Sequence, residues 1–385
     1  MSHFNGNTFS LTLNNLYANT TYYYFTEIIN NGVTYYSSVG TFKTDAVDDY
    51  DSSFDVTGAK SLNTTGTANC YIVSASGTYG FPAVKGNSST SVGAVASAEV
   101  LWESYGTATA PERSSLIRGA KYEDGKVYIK TADTFHEGNA VVAALDADGT
   151  ILWSWHIWMT DIPAEHAYNN NAGTVMDRNL GATSAVPGEA GALGLLYQWG
   201  RKDPFLGSSS TDSPVQAKST ITWPTSKYDA ASGNIEFATQ HPTTYISVSG
   251  KGNWMNKEDK TLWNEQKTIY DPCPQGWRVP EGGEAGLWVE AFGAEKMKTN
   301  PYDTDADGVD FTGHFSSASS VWYPAAGYYS GELHGTGETG IWHATTPGAP
   351  GLSSCLGFSI RYDMNPSFLV NCSRHTAASV RCVKE

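Results

Sequence analysis

The chain has 385 residues, more than one ordinary core organises, so two or three domains are expected. Only 16% of the residues are charged and the formal net charge is −15, which excludes the basic stripe that nucleic acid requires and disfavours an anionic membrane surface. Glycine (39), tyrosine (22) and tryptophan (12) are abundant beside only 24 lysines and arginines, a composition of turn-rich β structure with half-buried aromatic side chains.

No stretch approaches the roughly 18 apolar residues of a membrane helix, so no transmembrane segment is expected. The opening MSHFNGNTFSLTL has neither the basic nor the apolar region of a signal peptide. Residues 8 to 44 alternate as strands do, in TFSLTLNNL, TYYYFTEII and GVTYYSSVGTFKT, and Asn31-Gly32 is a hairpin signal. The run LNNLYANTTYYYFTEI…GTFKT resembles the last three strands of a fibronectin type III domain. Three strands cannot bury both faces of a sandwich. The expectation for residues 1–44 is therefore a partial fibronectin III-like segment, with a signal or anchor upstream of Met1.

DAVDDYDSS is acidic and poor in apolar residues, so 45–59 reads as a linker. Candidate strands follow in NCYIVSA, SAEVLWES, GKVYIKTA, NAVVAALD and TILWSWHIW, with turn signals at Asp124-Gly125 and Asp148-Gly149. VVAAL and ILWSWHIW are apolar enough to be central strands packed on both faces. Residues 60–160 are therefore expected to form an all-β, Ig-like sandwich. Alternation puts Trp153, Trp155 and Ile157 on one side of their strand and His156 and Trp158 on the other. His156 is expected to be a satisfied histidine in a packed interface with the next domain rather than a ligand.

From about residue 161 loops dominate. GGEAGLWVEAFGAEKMK (282–298) has helical spacing through Leu287, Val289, Phe292 and Met297, and ALGLLYQWG offers a second short helix. So long a region with little regular structure must be held by buried polar contacts, aromatic packing or covalent links. In MDRN and GRKDP, opposite charges sit beside apolar neighbours. Asp177, Arg178, Asn179, Arg201 and Asp203 are read as an internal network that fixes loops, with arginine supplying a planar fork of donors. A ligand-facing role for Arg201 or Asp203 is the alternative. The five cysteines, Cys70, Cys273, Cys355, Cys372 and Cys382, contain no CxxC pair and no histidine at zinc-ligand spacing, which argues against structural zinc. The last four permit three pairings.

TVMDRNLGATS, GLLYQWGRKDPF, DPCPQGWRVP and ASVRCVK occur in that order. Together they closely resemble the "major paralogous domain" first described in Fibrobacter and widespread in surface proteins of Bacteroidetes, over roughly 174–384. TANCYIV, AEVLWES and GTILWSWHIW resemble the β module that precedes it. The resemblance implies a C-type lectin-like fold over 161–385, closed by a disulfide between its ends. The overall class is then mainly β, with a loop-rich α+β C-terminal domain. It also implies nested pairing, Cys273–Cys382 outside and Cys355–Cys372 inside. Closing loops of 109 and 17 positions contributes about 4–5 and about 3 kcal/mol respectively in the chain-entropy account. Cys70 is left over and expected to be a small buried thiol. What the resemblance implies for location is a secreted or surface-anchored protein, often associated with adhesion or pilus-like assemblies.

YDTDADGVDF sets Asp303, Asp305 and Asp307 at alternate positions before Gly308, as a calcium loop opens. Position twelve is His314 rather than a bidentate glutamate, so the EF-hand pattern fails. The stretch is read first as an acidic surface turn, with a Ca²⁺ site of another loop type, drawing on Asp310, as the alternative. Ca²⁺ is the one cofactor suggested. Asp363, Asn365 and Pro366 faintly echo the acidic-Pro-Asn loop of calcium-dependent lectins. Most rings of VWYPAAGYYSGELHGTGETGIWH are read as strand and core packing; the alternative is a ligand surface with Tyr329, His334, Trp342 and His343 as the candidate binding residues, of which Tyr329, His334 and His343 are expected to be exposed. No GxSxG elbow, HExxH or phosphate-cradling GxxxxGK[ST] occurs. The expected function is non-enzymatic: an extracytoplasmic adhesion or pilus-associated protein recognising a surface glycan or protein, with pilus subunits as further partners. The alternatives are a carbohydrate-recognition module for polysaccharide capture and, remotely, an enzyme like the formylglycine-generating enzymes, which share a related fold and use a cysteine pair with copper.

Overall fold

Period-two alternation dictates the architecture between residues 60 and 160. In the computed structural model all residues are described except 1, 6–7, 12, 14–15, 17–20, 45–49, 294–301, 304–305, 317–320 and 360–363. Strands make up 38% and helices 5%, a mainly β fold of several small sheets. One four-stranded sheet runs in the order Ser97–Ser104, Gly138–Leu145, Ile151–Met159, Cys70–Val73, antiparallel except for the last pair. The other runs Ile117–Glu123, Lys126–Thr131, Thr78–Pro82, Lys60–Ser61. Asp124 and Gly125 both take positive φ (49° and 79°), as the expected tight hairpin requires, and Asn31 and Gly32 do the same in the N-terminal hairpin.

The first sheet is packed on both faces. Trp153, Trp155 and Ile157, with Ala140, Val142 and Ala144, meet Phe81, Val127 and Ile129 of the facing sheet. Their neighbours Trp158, Val141, Cys70 and Trp102 point the other way, into a core built with Trp199, Trp254, Trp263, Cys273 and Cys382. The two central strands, Gly138–Leu145 and Ile151–Met159, need no polar face because both of their faces are packed in protein. Polar ties follow the same seam. Asn69 Nδ2 donates to the carbonyls of Ile269 (2.7 Å) and Asp271 (2.9 Å), and Trp158 Nε1 to that of Ala182 (3.0 Å). Asn139 Nδ2 donates to the Gly181 carbonyl at 2.9 Å. Glu103, buried at the end of its strand, accepts from the amides of Ser114, Leu116 and Ile117 at 2.6–2.9 Å. Burial outweighs these donors and pushes its carboxyl up to about 7.

Beyond residue 160 the sheets are small. Thr174–Met176 and Trp277–Arg278 both pair with Val383–Lys384, so the start, middle and end of the region meet in one sheet. Cys273–Cys382 closes this junction at a Cα separation of 6.0 Å, and Cys355–Cys372 is the inner bridge, the nested pairing expected. Cys70 is free and buried, also as expected. The DPCPQGW turn is fixed by the side chains of Asp271 and Lys267. Asp271 accepts from the amides of Cys273 (2.8 Å) and Val279 (2.9 Å). Lys267 Nζ donates to the carbonyls of Cys273 (2.9 Å), Pro274 (3.1 Å) and Trp277.

Several local expectations are corrected. The helix expected over 282–298 is confined to Leu287–Phe292 among the described residues. Gly282 and Gly286 fold into a turn too tight for side chains: a Cβ on Gly286 would meet the Gly282 backbone at 2.5 Å. ALGLLYQWG forms no α-helix; a 3₁₀ turn at Ala190–Ala192 leads into a strand at Tyr197–Gln198, because its leucines and aromatics are buried on all sides. An α-helix at Ile235–Gln240 interrupts the loops expected there and is capped by Asn234, whose side chain accepts from the Phe237 amide at 2.8 Å. The described part of the stretch expected as a linker is anchored: Phe54 is buried and the Asp51 amide donates to the Arg118 carbonyl at 2.8 Å.

The N-terminal residues form three two-stranded ribbons, Ser2–Asn5 with Thr8–Leu11, Thr21–Tyr24 with Gly40–Lys43, and Glu27–Asn30 with Val33–Tyr36. The last two leave Tyr23, Ile29 and Tyr36 roughly two-thirds exposed (73%, 68% and 66%).

Because the sandwich supplies one wall of the core around Trp199, residues 161–385 are expected not to fold alone. That fragment should aggregate or bind a hydrophobic dye. Residues 50–385 should give one cooperative thermal transition by circular dichroism and fluorescence together. Two separated transitions would contradict the shared core.

Candidate functional site

Loops without ladders leave carbonyl groups that need donors once buried. Here buried guanidinium groups supply them. Arg201 Nη1 donates to Gln198 Oε1 and the Thr244 carbonyl, both at 2.8 Å, and Nη2 reaches the carbonyls of Ala238, His241 and Pro242 at 3.3–3.4 Å. Its guanidinium lies 5.2 Å from the Phe205 ring centre, and burial lowers its pKa to about 10. Arg381, fully buried, lies 4.1 Å over Tyr323 and donates to Asn179 Oδ1 (3.1 Å), the Met176 carbonyl (3.2 Å) and the Trp322 carbonyl (2.7 Å). Arg374 lies 4.0 Å over Trp199, donates to the Leu352 carbonyl at 2.9 Å, and pairs with Glu258 at 2.9 Å.

Asn179 is the hub of the MDRN motif. Its Oδ1 accepts from Trp342 Nε1 (2.8 Å) as well as Arg381, while Nδ2 donates to the Leu193 carbonyl (3.1 Å). Arg178 binds both oxygens of Asp177 at 2.9 Å and reaches Asp161 at 2.5 Å. Lys202 donates to Asp203 (2.7 Å) and Ser154 Oγ (2.6 Å), tying the GRKDP motif to the sandwich strand. Asp177, Arg178, Asn179, Arg201 and Asp203 are all buried, so they form frame rather than ligand surface.

The expected ligand-binding residues separate. Trp342 is buried by its bond to Asn179 and its edge contact with Tyr323 (5.1 Å). His343 was expected to be exposed and is fully buried. Its Nε2 donates to the Thr376 carbonyl (3.0 Å), and burial lowers its pKa to about 4. Both lie on the Thr339–Pro347 strand, whose alternation points the two rings to opposite sides, each buried in protein. Tyr329, also expected to be exposed, is half-buried because it stacks on Phe205 at 6.1 Å and meets Tyr245 edge-on at 5.2 Å. His334 keeps 40% side-chain exposure and stacks on Tyr328 at 5.4 Å. His156 behaves as expected: Asn139 Oδ1 at 2.8 Å and the Tyr197 hydroxyl at 3.3 Å satisfy it at the interface, and burial lowers its pKa to about 3.

The calcium reading falls partly outside the described residues, which exclude Asp305 and the side chain of Asp303. Asp307 sits in a left-handed turn (φ 54°). Asp310 is engaged locally, accepting from the Thr312 amide at 2.8 Å. Among the described residues no three acidic, histidine or cysteine side chains are grouped to hold a metal. Asp363 is outside the described residues, as are the side chains of Asn365 and Pro366.

The candidate ligand surface is a groove. A groove of about 730 Å³ lies over the three-stranded sheet of Thr339–Pro347, Leu352–Ser359 and Met364–Ser373. Thr339, Ile341, Gly357, Ser359 and Ser373 contribute to its floor, with the Cys355–Cys372 bridge cross-linking two floor strands. Tyr328 and the Leu333–Thr336 strand line it too, as do Asp212 and Glu338. Of the four expected residues only His334 lines it. Its other components come from positions 212 to 376, and no local pattern marks them as neighbours. Comparison with known protein families, with curated proteins and with solved structures finds no match.

The buried histidines fix a pH dependence. Both have folded pKa values below the unfolded value of about 6.5, so the unfolded chain binds protons that the native chain cannot. Stability is fully present above pH 6.5 and is lost as pH falls toward 4. For His343 that loss is about 3 kcal/mol, from a folded pKa of about 4. Glu103, raised to about 7, has the opposite sign: its contribution is lost as pH rises from 4.5 to 7. The clean reading is therefore the difference between urea midpoints of wild type and His343→Gln at pH 7 and pH 4.5. The variant is expected to lose less on acidification, and equal losses would place the His343 titration elsewhere.

Proposed function

We propose that the chain is a non-enzymatic, surface-exposed adhesion or pilus-associated protein, held outside the cytoplasm, that takes its ligand in the groove of a C-type lectin-like domain carried on an Ig-like sandwich. The observation that carries this reading is the groove, a concavity of about 730 Å³ whose floor is cross-linked by a disulfide. Preformed concavities with a few convergent polar groups are where proteins bind ligands. The motif residues of MDRN, GRKDP, DPCPQGW and VRC build the frame, and none of them lines the groove. That division suits a scaffold whose framework and ligand surface are separate. Two disulfides fit an oxidising compartment, and no helix among the described residues is long and apolar enough to cross a membrane. The fibronectin III-like reading of 1–44 belongs to the same picture, as a neighbouring module of a surface protein.

Polysaccharide capture has one observation in its favour, the stacked rings of Tyr328 and His334 on the groove wall. Such faces match the apolar side of a sugar ring. An enzyme of formylglycine-generating type requires two neighbouring free thiols. Four cysteines here are paired, and Cys70 is buried with its thiol pushed well above the usual range by desolvation.

The full chain should be screened on a glycan array and on a panel of immobilised extracellular proteins, with Asn371→Trp as the test variant, since Asn371 is exposed and lines the groove. The bulky ring is expected to reduce binding at least tenfold without moving the melting temperature. Undiminished binding by the variant would place the ligand surface elsewhere.

A further inference from the structure

Residues 21–43 form one long hairpin. Thr21–Tyr24 pairs with Gly40–Lys43 and Glu27–Asn30 with Val33–Tyr36, each as a sheet of two strands. Between them the Ser37 amide donates to the Thr26 carbonyl at 2.9 Å. A lone two-stranded ribbon is marginally stable in water, and natural sheets guard such edges with proline or lysine. This hairpin has no proline, and its one lysine, Lys43, stands at its end. Its apolar side chains are bare as well. Among the described residues, ten exposed large hydrophobic side chains lie between Tyr23 and Phe42, against four (Ile162, Val186, Val215 and Tyr228) beyond residue 44.

The two faces of the hairpin differ in charge. Register puts Ile28, Val33 and Tyr35 on one face with Asn30, and Ile29 and Tyr36 on the other with Glu27. Tyr24 and Phe42 add a ring pair at 6.4 Å in the adjoining sheet. Glu27 and Lys43 are the only charges in 21–43 and cancel, so the remainder of the chain carries the whole formal charge of −15. A charged partner finds little to pair with here. Ten side chains at roughly 100 Å² each, about 60% of a large side chain's area, present about 1,000 Å². The largest apolar patch on a typical monomer is about 300–600 Å².

We propose that this hairpin is a self-association surface: two copies of the chain lay the uncharged face of Ile28, Val33 and Tyr35 against each other. The same patch then serves both copies, as a two-fold pair requires. About half of the apolar area from each copy buries about 1,000 Å² in total, the size at which specific interfaces begin. The acidic remainders of two copies repel, and the hairpin is where they meet without that cost. None of its residues lines the groove, and the pair forms independently of a groove ligand.

Sedimentation equilibrium of the full chain at about 100 µM, where a micromolar pair is largely formed, tests this. A dimer is expected, and raising salt from about 50 to about 500 mM should tighten it by screening the acidic remainders. Ile28→Asp with Tyr35→Asp should weaken association at least tenfold. The same change on the opposite face, Ile29→Asp with Tyr36→Asp, should alter it less than twofold, and controls for loss of the hairpin itself. A monomeric wild type, equal loss in both double variants, or association that weakens with salt would overturn the proposal. Open-ended assembly without a dimer would overturn it too.

Discussion

The C-terminal half of this chain depends on buried guanidinium groups. A region with few ladders and short helices leaves many carbonyls pointing into protein, and each must find a donor or lose about 1–3 kcal/mol. Arg201 serves three loop carbonyls and a glutamine side chain, and Arg381 serves two carbonyls and Asn179. Both cations, and Arg374 with them, lie over aromatic rings, which offsets part of the desolvation cost. Arginine suits this task better than lysine because one rigid fork reaches several acceptors at once. The abundance of tryptophan and tyrosine and the scarcity of charge are two sides of this arrangement.

The same frame explains where the groove is. Arg374 and Trp199 hold the loop before the Ala377–Ala378 strand, and Asn179 ties Trp342 to Arg381. Those contacts turn one face of the Thr339–Ser373 sheet inward and leave the other open. The disulfides act at different levels: Cys273–Cys382 joins the ends of the region where its start also pairs, and Cys355–Cys372 stiffens the groove floor. The sandwich is a participant too, since Trp158 and Cys70 on its rear face belong to the core that holds both cysteines of the outer bridge.

Much of this was legible in the residues, and the limits have physical reasons. Asn31-Gly32 and Asp124-Gly125 were readable because only a few residues tolerate consecutive positive φ. Trp153, Trp155 and Ile157 were assigned to one face because a strand has a strict period of two. MDRN and GRKDP read as buried networks because paired charges among apolar neighbours have few other uses. His343 and His334 defeated the same reasoning: nine residues apart, they carry the same side chain, and only packing decides that one is sealed under Thr376 and the other stacks at a groove. The six-residue helix at Ile235–Gln240 is too short for periodicity to reveal, leaving Asn234 as its only signal. The groove brings together Asp212, His334 and Asn371, an encounter that depends on the long-range fold.

Amide hydrogen exchange on Arg201→Met, with both disulfides intact, tests most directly the claim that guanidinium donors fix the loops. Methionine keeps the apolar contacts with Phe205 and Trp254 while removing every donor. The amides of His241, Thr244 and Ile246 should exchange at least tenfold faster, while Val142 in the sandwich keeps its protection. Unchanged protection across Ala238–Ile246 would contradict the account and show that aromatic packing and the disulfides hold the loops without the arginine.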